Sequence, residues 1–157
     1  MIILGIHDGH NCGASLCHNG KIVYSILEER LTRKKNDVGF PKKSIIECIK
    51  LHGIKNSDVD YVVYSSRFMH SANHLKDPGS WYKLSLEDQI NDSKKPKKYQ
   101  KIIFDQRAKE RINIINKLIK IPREKVLFYD HHFCHMASSY YLSPFEKKQK
   151  ILSITID

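Results

Sequence analysis

Apolar and polar positions alternate from the start of the chain. Residues 2–6 and 13–17 read as strands, joined by the polar turn Asp8-Gly9-His10-Asn11. His18-Asn19-Gly20 is a second turn, because Asn-Gly accepts the positive φ angles of a tight hairpin, and residues 21–27 return as a third strand. The mixed charge of residues 28–35 leaves the sheet, and 36–40 reads as a loop. Pro41 suits the first position of a helix, where its missing N–H costs nothing. Ile45, Ile46, Cys48 and Ile49 then form one apolar face, and Gly53 is placed to end the helix. Residues 60–65 follow as a fourth strand, parallel to the first, and strand-helix-strand order favours an α/β architecture.

Between residues 67 and 101 the periodicity is lost, and Pro78-Gly79 and Lys95-Pro96 interrupt the chain. This stretch, extended to about 67–104, reads as a basic insertion or lid. Asp105 is expected to cap a second helix in which Ala108, Ile112, Ile115 and Ile119 share a stripe and which Pro122 stops. Residues 126–129 are apolar and read as a short buried strand. A helix is expected to follow from Asp130 as far as Ser143-Pro144, and residues 151–156 read as a last strand ending on Asp157.

The helix after residue 129 carries the densest chemistry, His131-His132-Phe133-Cys134-His135. Positions four apart share a helical face, so His131 and His135 point the same way while His132 points elsewhere. Spacing alone leaves two readings open. The imidazoles could share one divalent ion, for which a third protein ligand is needed, or His131 could cap the helix start and His135 be an ordinary half-buried histidine. Cys134 projects about 100° from His135 on a helix and is not read as a ligand. With no C-x-x-C pairing, Cys12, Cys17, Cys48 and Cys134 are read as free thiols.

The composition, 41% apolar and 28% charged over 157 residues, is that of one ordinary globular domain. The apolar start is too short for a signal-peptide core, and the chain is expected to be cytoplasmic, with no membrane partner. The net charge of +10 is local: residues 67–125 hold 15 Lys and Arg against 7 Asp and Glu, a surplus of 8. A run such as Lys94-Lys95-Pro96-Lys97-Lys98 attracts phosphates without reading sequence, and more often is a solvated loop, so nucleic acid is not the main partner expected.

Four blocks occur in order: Asp8-Gly9-His10-Asn11, Leu27-Glu28-Glu29-Arg30-Leu31-Thr32-Arg33-Lys34-Lys35, Gly39-Phe40-Pro41, and His131-His132-x-x-His135-x-x-Ser138-Ser139-Tyr140-Tyr141-x-Ser143-Pro144-Phe145. Together they closely resemble the amino-terminal part of the O-carbamoyltransferase family, the nodulation-factor and antibiotic carbamoyltransferases. The resemblance covers the chain except for about residues 68–106. It implies the first half-domain of an actin-like, sugar-kinase or heat-shock-ATPase fold, which is ribonuclease H-like, with a three-stranded antiparallel start followed by strands alternating with helices. It also implies transfer of a carbamoyl group from carbamoyl adenylate to a hydroxyl of a small-molecule acceptor, with ATP and carbamoyl phosphate as substrates of the complete enzyme. By the same resemblance His131 and His135 are metal ligands, for iron or another divalent ion. Asp8, His10, Lys35 and Asp157 match positions lining the acceptor and adenylate pocket. Asp8 or Asp157 would orient or deprotonate the acceptor, and Lys35 would offset phosphate charge. Asn36 stands where the family often has a histidine. The family's glycine-rich phosphate loop, third metal ligand and adenylate-forming domain lie beyond Asp157. Residues 1–157 therefore read as a single incomplete amino-terminal domain, inactive alone, whose partner is the missing carboxyl-terminal part or a second polypeptide, and whose last strand, 151–157, begins a missing second half.

Two other readings share these features. A threonylcarbamoyl-transferring tRNA-modification subunit also uses a His-x-x-x-His pair, though the Glu-Glu-Arg and Gly-Phe-Pro blocks favour the first family. A non-catalytic binding module would act through the basic insertion. If that segment is a solvated loop, changing Lys94, Lys95, Lys97 and Lys98 together to Gln leaves the thermal midpoint within a few degrees, the usual effect of surface changes, while weakening any binding to heparin. A large loss of stability in a melting curve would show the segment to be packed into the domain.

Overall fold

The computed structural model describes residues 1–67, 97–146 and 149–156. Five strands form one sheet: β1 (Ile2–His7), β2 (Gly13–His18), β3 (Lys21–Leu27), β4 (Tyr61–Tyr64) and β5 (Val126–Phe128). Their order is β3-β2-β1-β4-β5, with β1-β2 and β2-β3 antiparallel and β1-β4 and β4-β5 parallel. The antiparallel start and parallel continuation are the half-domain topology expected from the sequence. Among the described residues there are four α-helices, α1 (Glu28–Thr32), α2 (Lys42–Leu51), α3 (Lys97–Ile119) and α4 (His131–Tyr141), and two single 3-10 turns. None of them is long and apolar enough to cross a membrane.

The register puts two apolar rows across one face of the sheet. Tyr24, Leu16, Leu4, Val62 and Val126 stand opposite one another in the first, and Ile26, Ala14, Ile6, Tyr64 and Phe128 in the second. These rows join Ile45, Cys48 and Ile49 of α2 and Ile112, Ile115 and Ile119 of α3 in one core. Removing each such Leu or Ile side chain from water contributes about 1.5–3 kcal/mol. Because strand side chains alternate, the residues between these rows face the other way. One such row is Ser25, Ser15, Gly5, Val63 and Leu127. A methyl group on Gly5 would come within 2.7 Å of the Ser15 hydroxyl, so glycine here keeps this row flat.

Two expectations are corrected. Asp105 does not cap a helix: α3 begins at Lys97, and Asp105 is an exposed residue inside it. The 23 residues from 97 to 119 contain neither proline nor glycine, so nothing in them stops the helix at its early end. The remainder of the expected lid, residues 68–96, lies outside the described residues. Residues 151–156 do not join the sheet. They keep a strand's alternation, with Leu152, Ile154 and Ile156 at 85%, 75% and 95% exposure, but lie beside α4, where Thr155 Oγ1 is 3.3 Å from His132 Nδ1. An extended run becomes a strand only where a neighbour takes its backbone hydrogen bonds, and neither edge of this sheet does so.

The Glu-Glu-Arg block serves the fold directly. Glu28 is 6% exposed, and its carboxylate accepts from the N–H groups of Lys43 and Ser44 at 2.9 and 2.7 Å and from the Ser44 hydroxyl at 2.7 Å. It thereby satisfies orphan amides in the first turn of α2, where negative charge is favoured. Glu28→Ala removes this cap and is expected to cost about 1–3 kcal/mol, lowering the thermal midpoint by several degrees. Lys42→Gln at the exposed start of the same helix serves as the control in circular-dichroism melts. A midpoint unchanged in Glu28→Ala would show that those amides find other partners.

Candidate functional site

Ligands of open α/β sheets gather at the carboxyl ends of the strands, and the candidate residues gather there in this chain. His7 ends β1, Ser65 follows β4, and α4 starts three residues after the end of β5. The turn after β1 needs a left-handed residue, supplied by Asn11 at φ 53°. It is strapped to the loop after α1: Cys12 N–H donates to Asp37 O and Gly39 N–H to Gly9 O, each at 3.1 Å, and His10 pairs with Val38. That strap holds His10 at the mouth of the site.

α4 begins where Asp130 accepts from the Phe133 N–H at 3.1 Å, so the helix cap is Asp130, which leaves His131 free of that duty. His131 and His135 share one face, and their Nε2 atoms lie 3.1 Å apart. His131 Nδ1–H donates to the Ser65 carbonyl at 3.2 Å, which turns its Nε2 lone pair toward His135. His7 stacks on the His131 ring with centroids 5.9 Å apart. Its Nε2–H donates to the His10 carbonyl at 3.0 Å, and its Nδ1 therefore accepts from the Ser65 hydroxyl at 2.9 Å. Burial pulls the His7 pKa down to about 4, so the ring is neutral near pH 7 and both nitrogens are committed. His132 is turned away, toward Thr155.

These residues enclose a cavity of about 360 Å³, lined by His7, His10, Asn11, Ser65, His131, Cys134 and His135. The histidine pair suits a divalent ion. With metal–nitrogen bonds of about 2.1 Å, two ligands on one ion stand about 3.0 Å apart at a right angle and about 3.4 Å at the tetrahedral angle. The observed 3.1 Å lies between these, and an ion would take the place of the proton now shared by the two nitrogens. The carbonyl on the far nitrogen of His131 is the kind of outer partner that orients a ligating imidazole. Among the described residues, no group of three or more His, Cys, Asp or Glu side chains forms a complete site. Cys134 lines the cavity, but burial and then the charge of Asp130 raise its pKa, so it is a thiol rather than a thiolate.

The structure brings His10, His131 and His135 together and sets Asp8 and Lys35 apart from them. Asp8 points the opposite way from His7, is 1% exposed, and gives both oxygens to Arg111 at 2.8 and 3.1 Å. Burial raises its pKa against the pull of Arg111. It is not among the residues lining the cavity. Lys35 is exposed on the loop after α1 and does not line the cavity either. Asp157 lies outside the described residues. His7, Ser65 and Arg111 were missed. His7 was legible as the odd-numbered partner of Ile6 and Asp8 at the end of a strand, and Arg111 as a charge within the stripe of Ala108, Ile112 and Ile115.

The uncharacterized protein sll1178 of Synechocystis sp. is 30% identical over 142 residues, covering 88% of this chain and 22% of that protein. Nodulation protein NolNO of Sinorhizobium fredii is 25% identical over 162 residues, covering 97% of this chain and 19% of that protein. The chain thus spans about a fifth of the length of these two curated relatives. Among solved structures, YeaZ from Pseudomonas aeruginosa superposes with a TM-score of 0.43 at 11% identity, over 89% of this chain and 50% of that one. The family model described as Carbamoyltransferase N-terminus matches residues 2–157, and the chain belongs to that family.

Proposed function

We propose that this chain supplies the acceptor side of a carbamoyl-transfer site, in which His131 and His135 hold a divalent ion, iron by resemblance, beside His10. The observation that carries the reading is the convergence of the two Nε2 atoms at 3.1 Å on a cavity also lined by His10. An ion bound there supplies Lewis-acid polarisation of the carbamoyl carbonyl. In the transfer, the acceptor hydroxyl oxygen bonds to the carbamoyl carbon of carbamoyl adenylate, the bond from that carbon to the phosphate oxygen breaks, and the nucleotide leaves. His10 takes the hydroxyl proton as general base, a reading supported by its place on the cavity wall while Asp8 is bonded to Arg111. Lys35 offsets phosphate charge from the loop that straps the His10 turn, and Asp157 orients the acceptor. Carbamoyl phosphate and ATP generate the adenylate in the remainder of a full-length enzyme.

Two measurements test this. Metal content of the purified chain, by elemental analysis after loading with Co²⁺, is expected to be modest and to vanish in the double variant His131→Ala, His135→Ala. Equal content in both proteins would remove the site. With the remaining length of a family member supplied in cis, transfer of labelled carbamoyl from carbamoyl phosphate and ATP to a hydroxyl acceptor is expected to fall about 10²-fold or more in His10→Ala, the size of a lost general base. Unchanged kcat/KM in that variant would take His10 out of the chemistry while leaving the metal pair standing.

A further inference from the structure

We infer that Arg111 is a positioning residue for the histidine pair, acting through the strand end that carries Ser65; the inference rests on the metal-holding reading above. Arg111 is 1% exposed within α3. Its Nε and Nη2 donate to the two oxygens of Asp8, and its Nη1 donates to the carbonyls of Ser66 at 2.9 Å and Arg67 at 3.4 Å. The guanidinium carbon is 5.3 Å from the centre of the Tyr64 ring and 5.7 Å from that of Phe128, and the two rings stack on each other. One side chain therefore touches the segments that end β1, β4 and β5. Those ends carry His7, Ser65 and, three residues past Phe128, His131.

Stability alone does not account for this arrangement. A buried ion pair is often replaced by well-packed apolar groups at no loss, because desolvation offsets much of its attraction. An apolar replacement cannot hold a carbonyl. By binding the Ser66 carbonyl, Arg111 fixes the backbone immediately after Ser65, whose own carbonyl accepts from His131 Nδ1–H. That bond keeps the His131 proton on Nδ1 and the Nε2 lone pair facing His135. When the Ser65 carbonyl is released, His131 populates both tautomers and loses its fixed direction.

The test compares two variants with the wild-type chain. The double variant Asp8→Leu, Arg111→Met replaces the ion pair with apolar groups and leaves no buried charge unpaired. Arg111→Lys keeps a charge beside Asp8 but lacks the fork that reaches the Ser66 carbonyl. The first readout is long-range ¹H–¹⁵N NMR of the metal-free chain, in which wild-type His131 is expected to be a single Nδ1–H tautomer and both variants a mixture. The second is titration with Co²⁺, expected to be at least tenfold weaker in both variants. Ile115→Val, a core change that removes no hydrogen bond to the strand ends, is expected to keep wild-type tautomer and affinity even where its midpoint falls as far. Wild-type tautomer and affinity in the two variants would overturn the inference, as would failure of both to fold, which would make the ion pair purely structural. A wild-type chain that binds no Co²⁺ sinks the metal reading instead, and the tautomer comparison then decides the role of Arg111 by itself.

Discussion

The constraint on which the rest depends is the two-residue period of β1. This strand lies at the centre of the sheet, with an antiparallel neighbour on one side and a parallel one on the other. Leu4, Ile6 and Asp8 face the core, while Gly5 and His7 face the opposite side. A slip of one residue would exchange the two sets, burying His7 in the apolar rows and turning Asp8 away from Arg111. Core and candidate site are therefore the two faces of one register, fixed by apolar residues that do not line the cavity.

The turn that follows β1 contains Gly9 and a left-handed Asn11 and is held locally by the bond from His7 to the His10 carbonyl. Further order comes from elsewhere in the chain. Glu29 accepts from the Asn36 N–H at 2.9 Å and Thr32 donates to Asp37 at 2.7 Å, which shapes the loop that in turn straps Gly9 and Cys12. Glu28 fixes the start of α2 behind that loop. The acidic residues after β3 thus serve as backbone acceptors, and through them α1, the loop and the His10 turn form one hydrogen-bonded unit.

Much of this was legible in the sequence. Strict alternation with Asn-Gly between two runs marked the hairpin, and strand-helix-strand order marked the parallel continuation. The i, i+4 spacing put His131 and His135 on one face. Asp8 stands in a polar turn of the sequence, and its burial there depends on Arg111, 103 residues away. No local pattern encodes such a pairing; only the charge within an apolar stripe hinted at it. Residues 151–156 misled. β propensity predicts a strand, and their exposure alternates as a strand's does, but pairing depends on a neighbour that propensity cannot supply.

α4 shows how little burial is needed to aim a pair of side chains. No residue of this helix is fully buried; Phe133 and Tyr141 are 47% and 70% exposed, and Leu142, which caps its end, is 70% exposed. Packing that weak cannot fix the rotation of a helix about its axis. The direction of His131 and His135 must come from the helix's amino-terminal end, where Asp130 caps the first turn and the Ser65 carbonyl takes the His131 proton. Both histidines lie within five residues of that cap, so a small rotation there carries over to them almost undamped, whereas fraying near Leu142 would leave them in place. The precision of the site therefore resides in the strand ends, and α4 transmits it.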